Sequence, residues 1–345
     1  MAAADTAGTT PTRKKRASAR RAERSPSGGW RTIAAKELAD HIASWRFFVL
    51  LLVIAALSVL PMYFSANDIT SVASQTNASN PLVFLALFTH GASSFNGIAM
   101  VALVLLLVPL VGIAFGFDGI NSERSQGTLS RLLAQPVHRD DVINGKFVAG
   151  ISVIFVMVLT LVLLVTAIGI LRLGIVPTAE DLARMAVWLI TTVLYASFWL
   201  AFALLLSVAI RSTATAALIG FGVWLAVSVV GTFLIKVAAA FFFPIDSSAA
   251  QSAQYSAFSA QQLFLRLSPA QLYQDVMQAV LDPRTNALII TNAGQDTSSR
   301  QQIPSLLTLD QSILLVWPQL VALVALTVLL FAIAYVLFLR QEVRA

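Results

Sequence analysis

The chain contains 345 residues, of which 57% are hydrophobic and only 12% charged, and its mean hydropathy is +0.79. Soluble globular domains carry about 25% charged residues, so this composition excludes that class and predicts an integral membrane protein. The formal net charge is +6. Because the chain has no cysteine, disulfides, thiolate metal sites and cysteine nucleophiles are also excluded.

The first region, residues 1–29, is predicted to be a disordered basic tail. It is rich in Ala, Ser, Thr, Gly and basic residues, and it has almost nothing to bury before Trp30. The run RKKR at residues 13–16 has no interleaved aromatic residues. We therefore interpret the tail as topogenic charge that faces anionic headgroups, and we expect membrane lipid rather than nucleic acid as its partner.

Residues 30–45 are predicted to form an amphipathic helix before the first span. Apolar residues recur every three or four positions, opposite Lys36 and Asp40. Tryptophan at both ends suits a helix that lies in the headgroup plane of the membrane. The alternative is a short helix packed on the protein itself.

Six apolar stretches predict an all-α integral membrane protein with six transmembrane helices. Each stretch lacks acidic, basic and histidine residues and is long enough, or nearly so, to cross a hydrocarbon layer of about 30 Å. They are residues 47–64, 98–117, 147–171, 185–210, 216–235 and 313–339.

The distribution of basic residues predicts the orientation of these spans. With the N-terminus inside, 17 of the 23 Lys and Arg residues fall on the cytoplasmic side. Both the N- and the C-terminus are therefore predicted to be cytoplasmic. Residues 118–146 become a cytoplasmic loop, and residues 243–312 become a large outer loop between spans 5 and 6.

The spans carry no charged group for ion-coupled transport or for catalysis inside the membrane. The three histidines lie on different segments, which argues against a histidine metal site. Gly145 and Lys146 do not form a phosphate-binding loop, because Phe147 follows where a hydroxyl residue is needed. We therefore expect a chain that is not an enzyme and binds no metal, cofactor or ATP itself.

The large outer loop contains one predicted amphipathic helix, residues 269–282. Ser268 is its predicted N-cap, Gln271 completes a capping box, and Pro283 ends the helix. One face of this helix is apolar. It is expected either to cover the mouth of the bundle or to rest on lipid.

The cytoplasmic loop contains a second short predicted helix. Leu129, Leu132 and Leu133 follow helical spacing after Gly127, and Pro136 ends the run. The resulting leucine face could fold back on the membrane surface. It could also fill a groove in a separate protein, with Glu123 and Arg124 as flanking polar contacts.

The same loop carries a motif that resembles the intracellular loop of type-2 ABC exporter permeases. The pattern is E-R-x-x-G-T-L, then a proline, a basic residue, and G-K at the start of the next span. Its residues here are Glu123, Arg124, Gly127, Thr128, Leu129, Pro136, Arg139, Gly145 and Lys146. The N-terminal helix, the outer-loop helix and the C-terminus resemble the branch that includes multicopper-enzyme-maturation and gliding-motility permeases, over residues 30–345.

This resemblance implies a cell-membrane permease subunit that pairs with a second permease, identical or homologous, and docks two copies of a cytoplasmic ABC ATPase. ATP and Mg²⁺ would bind the ATPase, and the helix at 128–134 would be the coupling helix. The predicted docking residues are Glu123, Arg124, Gly127, Thr128, Leu129, Leu132, Leu133, Pro136 and Arg139. The expected function is ATP-driven export, and the alternative is a non-transporting scaffold that relays ATPase motion to an outer-face partner.

Overall fold

The computed structural model describes residues 29–73, 83–89, 100–127, 138–174, 176–244, 251–282 and 307–341. All regular secondary structure in these ranges is helical. The first helices are α1 (Gly29–Ile42), α2 (Trp45–Ala73), α3 (Val83–Thr89), α4 (Met100–Gly116), α5 (Asn121–Ser125), α6 (Arg139–Leu173) and α7 (Ala179–Ala209). They are followed by α8 (Thr213–Leu225), a π-helical turn (Ala226–Gly231), α9 (Thr232–Phe242), α10 (Gln251–Leu265), α11 (Pro269–Leu281) and α12 (Leu309–Arg340).

Five helical stretches of the described chain are long and apolar enough to cross a membrane. They are Met100–Ser125, Arg139–Arg172, Ala179–Ala209, Thr213–Phe242 and Leu309–Arg340, and they contain the second to sixth predicted spans almost completely. A sixth candidate joins α1 to the first part of α2 across a bend of 63°. The predicted all-α, multi-pass arrangement is thus confirmed at five to six spans, while the orientation of the termini stays a prediction.

Helix α7 forms the centre of the bundle and packs against α4, α6, α11 and α12. In its most apolar window 67% of the residues are buried, whereas the span formed by α8 and α9 buries only 11%. Gly112 and Gly116 of α4 allow the close approach to α7. A Cβ atom at Gly112 would lie 2.4 Å from the backbone oxygen of Ala196, and one at Gly116 would lie 2.8 Å from that of Leu200. The spacing of these two glycines, G-x-x-x-G, is typical of closely packed membrane helices.

Helices α10 and α11 follow one another across a short turn, and we call this segment, residues 251–281, the hairpin. Its second helix, α11, packs into the bundle against α7 and α12. Tyr273 of α11 is fully buried, stacks on Tyr195 of α7 at a centroid distance of 4.7 Å, and hydrogen-bonds to Thr192 at 2.8 Å. Because a helix rises 1.5 Å per residue, Thr192 lies about 20 Å along α7 from its start. Of the two expectations for this helix, packing on the bundle is therefore the observed one.

The boundaries of α11 agree with the sequence, but its predicted capping box is wrong. Ser268 occupies the N-cap position and Pro269 begins the helix, which ends at Leu281. The Ser268 side chain makes no capping hydrogen bond. Gln271 donates instead to Asp275 Oδ1 at 2.7 Å, one turn further along α11, so its amide is not available for the cap.

The other end of the hairpin is fixed by Arg184 of α7, whose side chain is fully buried. Its guanidinium donates to the backbone oxygens of Val280 at 2.9 Å and Leu307 at 2.6 Å, and to Glu180 Oε1 at 2.8 Å. A cation at the last turn of α11 satisfies a carbonyl that the helix leaves unpaired. One residue thereby joins α7, α11 and the chain that leads into α12. We call the part of the bundle that holds residues 251–281 the hairpin end.

Candidate functional site

The opposite end of the bundle holds the segment in which the sequence placed its docking residues, and we call it the loop end. Residues 128–137 lie outside the described chain. The predicted helix at 128–134 and the roles of Thr128, Leu129, Leu132, Leu133 and Pro136 therefore stay predictions. The structure describes the two flanks of that segment, which contain Glu123, Arg124, Gly127 and Arg139.

The preceding flank is the short helix α5, which is tied to α7. Ser207 Oγ of α7 accepts hydrogen bonds from the backbone N–H groups of Ile120 and Asn121 at 3.0 and 3.1 Å. Donors at the start of a helix have no partner within it, so a buried hydroxyl is a suitable acceptor. After α5 the chain passes through Gly127, whose φ of +67° is a left-handed conformation that favours glycine.

The following flank is the start of α6, a helix of 35 residues. Arg139 is its first residue, and Asp140 and Asp141 lie in its first turn, where carboxylates interact favourably with the helix dipole. Because α6 is continuous from Arg139 to Leu173, a displacement at its first turn can be transmitted along the bundle by a single rigid element.

Three side chains at the loop end form a buried ion cluster, which we call the Lys146 clamp. Lys146 Nζ of α6 lies 2.7 Å from Glu123 Oε1 of α5 and 3.1 Å from Glu37 Oε1 of α1. The exposed fractions of these side chains are 7%, 14% and 14%. A buried charge that loses its partner is strongly destabilising, so each of these groups stabilises the others. The clamp therefore holds α1, α5 and α6 together.

Gly145 explains how α1 comes close enough to α6 for this contact. A Cβ atom at Gly145 would lie 2.8 Å from Cβ of Ile33 and 3.0 Å from the backbone oxygen of Trp30, both on α1. Gly145 and Lys146 therefore act together on α1. Gly145 leaves space for α1 to approach, and Lys146 forms an ion pair with Glu37 of that helix. Helix α1 packs on α6, which is the alternative that the sequence left open for this helix. Its position relative to the lipid headgroups stays a prediction.

A second ion pair joins the start of α2 to the end of α4. Arg46 Nη2 lies 2.7 Å from Asp118 Oδ2, and Arg46 Nη1 donates to the backbone oxygen of Ala114 at 2.9 Å. His41 lies beside this pair with its ring edge-on to Phe115, at a centroid distance of 5.2 Å. Burial lowers the pKa of His41 below its usual value.

Gln341, just beyond the last residue of α12, connects both flanks of the loop to the core. Its side-chain oxygen accepts from Arg124 Nη2, and its backbone oxygen accepts from Arg139 Nη1 at 3.1 Å. Its amide nitrogen donates to the backbone oxygen of Val208 at 2.8 Å. The C-terminal end of α12 therefore contacts the segment on each side of residues 128–137 as well as α7.

The sequence identified Glu123, Arg124 and Arg139 but not the residues with which they interact. Glu123 pairs with Lys146, and the two arginines contact Gln341. Their contact with another protein stays a prediction. The sequence did not identify Glu37 as a partner of Lys146. A signal for such a partner was present, because Lys146 lies at the start of an apolar span and a buried lysine requires a carboxylate.

Metal binding has no support in the part of the chain that the structure describes. No group of three or more His, Cys, Asp or Glu side chains there could hold an ion. The arrangement at the loop end is instead a network of hydrogen bonds and ion pairs between helices.

Several membrane-spanning helices surround one central helix, which defines a multi-pass integral membrane protein. The model of the ABC-2 family transporter proteins matches residues 31–343. The chain therefore belongs to the ABC-2 family, and the predicted resemblance to type-2 ABC permeases is confirmed.

One curated relative supports the same assignment. It is a protein of Stutzerimonas stutzeri named probable ABC transporter permease protein NosY, which is 29% identical over 198 residues. The match covers 56% of this chain and 64% of the relative, so the chain spans less than two-thirds of that protein's length.

Proposed function

We propose that this chain is the transmembrane subunit of an ABC exporter in the cell membrane, with both termini in the cytoplasm. Membership of the ABC-2 family supports the transport class, and the excess of basic residues at the loop end supports the orientation. The permease pairs with a second permease, identical or homologous, and docks two ATPase subunits. Those subunits bind ATP and Mg²⁺, and lipid surrounds the spans.

The observation that carries the proposal is the connection of both flanks of the loop to different helices. Glu123 is joined through Lys146 to α1 and α6, and Arg124 and Arg139 are joined through Gln341 to α12 and α7. A partner that moves residues 128–137 therefore moves α5 and α6 together with their neighbours. Coupling between distant sites needs such a contiguous set of rigid elements.

In this mechanism the loop transmits work rather than performing chemistry. Closure of the ATPase dimer displaces the helix at 128–134, and the displacement passes through the Lys146 clamp and Gln341 into the spans. The path between the two permeases then opens outward. Leu129, Leu132 and Leu133 supply the apolar docking face, and Glu123, Arg124, Gly127, Thr128, Pro136 and Arg139 shape and orient it.

A pull-down from the native membrane tests this proposal. The tagged chain is purified in mild detergent, and ATPase activity is assayed on the eluate for wild type and for the double variant Leu129→Glu, Leu133→Glu. We expect wild type to retain an ATPase subunit and the variant to lose it, because two carboxylates cannot enter an apolar groove unpaired.

The matched control is the double variant Ser130→Glu, Gln135→Glu, which adds the same charge to the same loop outside the leucine face. It is expected to retain the ATPase. Recovery of the subunit with the leucine variant, or its absence from intact wild type, would contradict the docking assignment.

The alternative function is a non-transporting scaffold that acts on an outer-face partner through residues 243–312. The structure offers this alternative less support, since the apolar face of α11 is already buried against α7 and α12. Transport and partner binding, measured separately after replacement of exposed residues on α10, distinguish the two functions.

A further inference from the structure

A cavity lined by both polar and apolar side chains lies at the hairpin end, between α9, α10, α11 and α12, and we call it the hairpin cavity. Its volume is about 390 Å³. Five glutamine side chains from three different helices line it: Gln262, Gln271, Gln274, Gln278 and Gln319. Small-molecule sites in proteins fall in the range of about 300–1,000 Å³, so the cavity is large enough for a small ligand or for one end of a larger ligand.

The polar stripe of α11 faces this cavity. Gln271, Gln274, Asp275 and Gln278 follow one another at intervals of three, one and three residues, which places them on one face of the helix. The opposite face carries the buried Tyr273. On a surface helix the polar stripe would face bulk water, but here it faces two membrane-spanning helices.

The cavity lies beside the ends of two membrane-spanning helices. Gln319 is ten residues from the start of α12, or about 15 Å along the helix axis. Lys236 is six residues from the end of α9, or about 9 Å, and directly follows the uncharged stretch of residues 216–235. Polar and ionisable groups that cluster beside membrane-spanning helices are candidates for a substrate or ion path.

Two of the three charged groups in the cavity neutralise each other. Arg266 Nε lies 2.8 Å from Asp275 Oδ2. When the Gln319 amide is oriented to satisfy its neighbours, its oxygen accepts from Arg266 Nη2 at 3.1 Å. The third group, Lys236, has no carboxylate within 4.0 Å among the residues that the structure describes. The described lining therefore carries a formal charge of +1 together with several amide donors.

We propose that the hairpin cavity binds an oxyanion, such as a phosphate or sulfate group, of the transported molecule. Lys236 is its counter-ion, and the glutamine amides donate hydrogen bonds to its oxygens. This inference rests on the proposed transport function, for which it names the chemical class of substrate. The oxyanion belongs either to a lipid headgroup or to a small soluble molecule.

Binding to the purified permease, without any ATPase, tests the inference. One arm measures retention of phosphatidylglycerol against diacylglycerol, which has the same acyl chains and no phosphate, by native mass spectrometry. The other arm measures equilibrium binding of radiolabelled inorganic phosphate. In at least one arm, Lys236→Gln should weaken binding about tenfold or more through loss of a charged contact, and Lys236→Arg should restore most of it.

Lys36→Gln is the matched control, since Lys36 is an exposed lysine paired with Asp40 at the other end of the bundle. Its binding should equal that of wild type. A Lys236-dependent preference for phosphatidylglycerol alone identifies a headgroup, and Lys236-dependent phosphate binding identifies a soluble anion; both support the inference. It is overturned if neither probe binds, or if Lys236→Gln binds like wild type while the variant remains folded.

The outcome is separable from that of the pull-down. If the ATPase copurifies but the permease does not bind the anion, only the proposed oxyanion site is contradicted. If the permease binds the anion but no ATPase copurifies, the proposed coupling to an ATPase is contradicted and the oxyanion site is still supported.

Discussion

The two ends of the bundle use a lysine in opposite ways. At the loop end, Lys146 is 7% exposed and lies between two carboxylates. At the hairpin end, Lys236 is exposed and faces a cavity lined by amides. A buried, paired charge holds helices in one arrangement, whereas an accessible charge can bind a ligand. The comparison shows a buried, paired lysine at one end and an exposed lysine at the other, which is the difference expected if the loop end transmits motion and the hairpin end binds a ligand, as we propose.

Replacement of Lys146 by methionine should have the largest effect. The change removes the Lys146 ammonium from Glu37 and Glu123, and breaking a buried ion cluster in this way costs about 3–5 kcal/mol of folding free energy. Thermal unfolding in detergent measures the loss. The triple variant Lys146→Met, Glu37→Gln, Glu123→Gln should recover much of it; if it melts no higher than Lys146→Met, the charges do not account for the stability.

Gly145→Ala should have a smaller effect at the same end. The added methyl group would lie 2.8 Å from Cβ of Ile33, so α1 must move away from α6 at a cost of about 1–3 kcal/mol. Gly222→Ala is the control, since a Cβ atom there meets nothing within 4 Å. Equal melting temperatures for the two variants would mean that close packing of α1 is not needed for stability.

Lys236→Gln should have the smallest effect on stability, within about 0.5 kcal/mol, because Lys236 is exposed and makes no described ion pair. The same thermal unfolding measurement applies, and it sharpens the contrast with Lys146→Met. A loss as large as that of the Lys146 variant would make Lys236 a structural residue and remove the difference between the two ends.

Much of the architecture follows from the sequence because it depends on local patterns. Runs of apolar residues predicted six spans, of which the structure supports five to six, and Ser268 and Pro269 marked the start of α11. The E-R and G-K pairs of the loop motif identified the family that residues 31–343 match. Hydropathy, helix capping and motif spacing all operate over a few residues to a few turns, so they can be detected without knowledge of tertiary contacts.

The capping box of α11 shows where local patterns fail. The spacing of Ser268 and Gln271 matched the motif, but Gln271 hydrogen-bonds to Asp275. Gln271 therefore has a competing partner one turn along its own helix, and Asp275 in turn pairs with Arg266 beside the cavity. The periodicity of the sequence predicted that one face of α11 is polar. It did not predict which helices lie opposite that face.

The sequence by itself thus determined the membrane class, most of the membrane-spanning helices and the family of this protein. Tertiary structure decided that Lys146 binds Glu37 and Glu123, that α11 packs into the bundle, and that Lys236 faces a cavity. The physical reason is that hydrophobic burial depends on how many apolar residues a segment contains, whereas an ion pair or a cavity depends on which distant segments become neighbours.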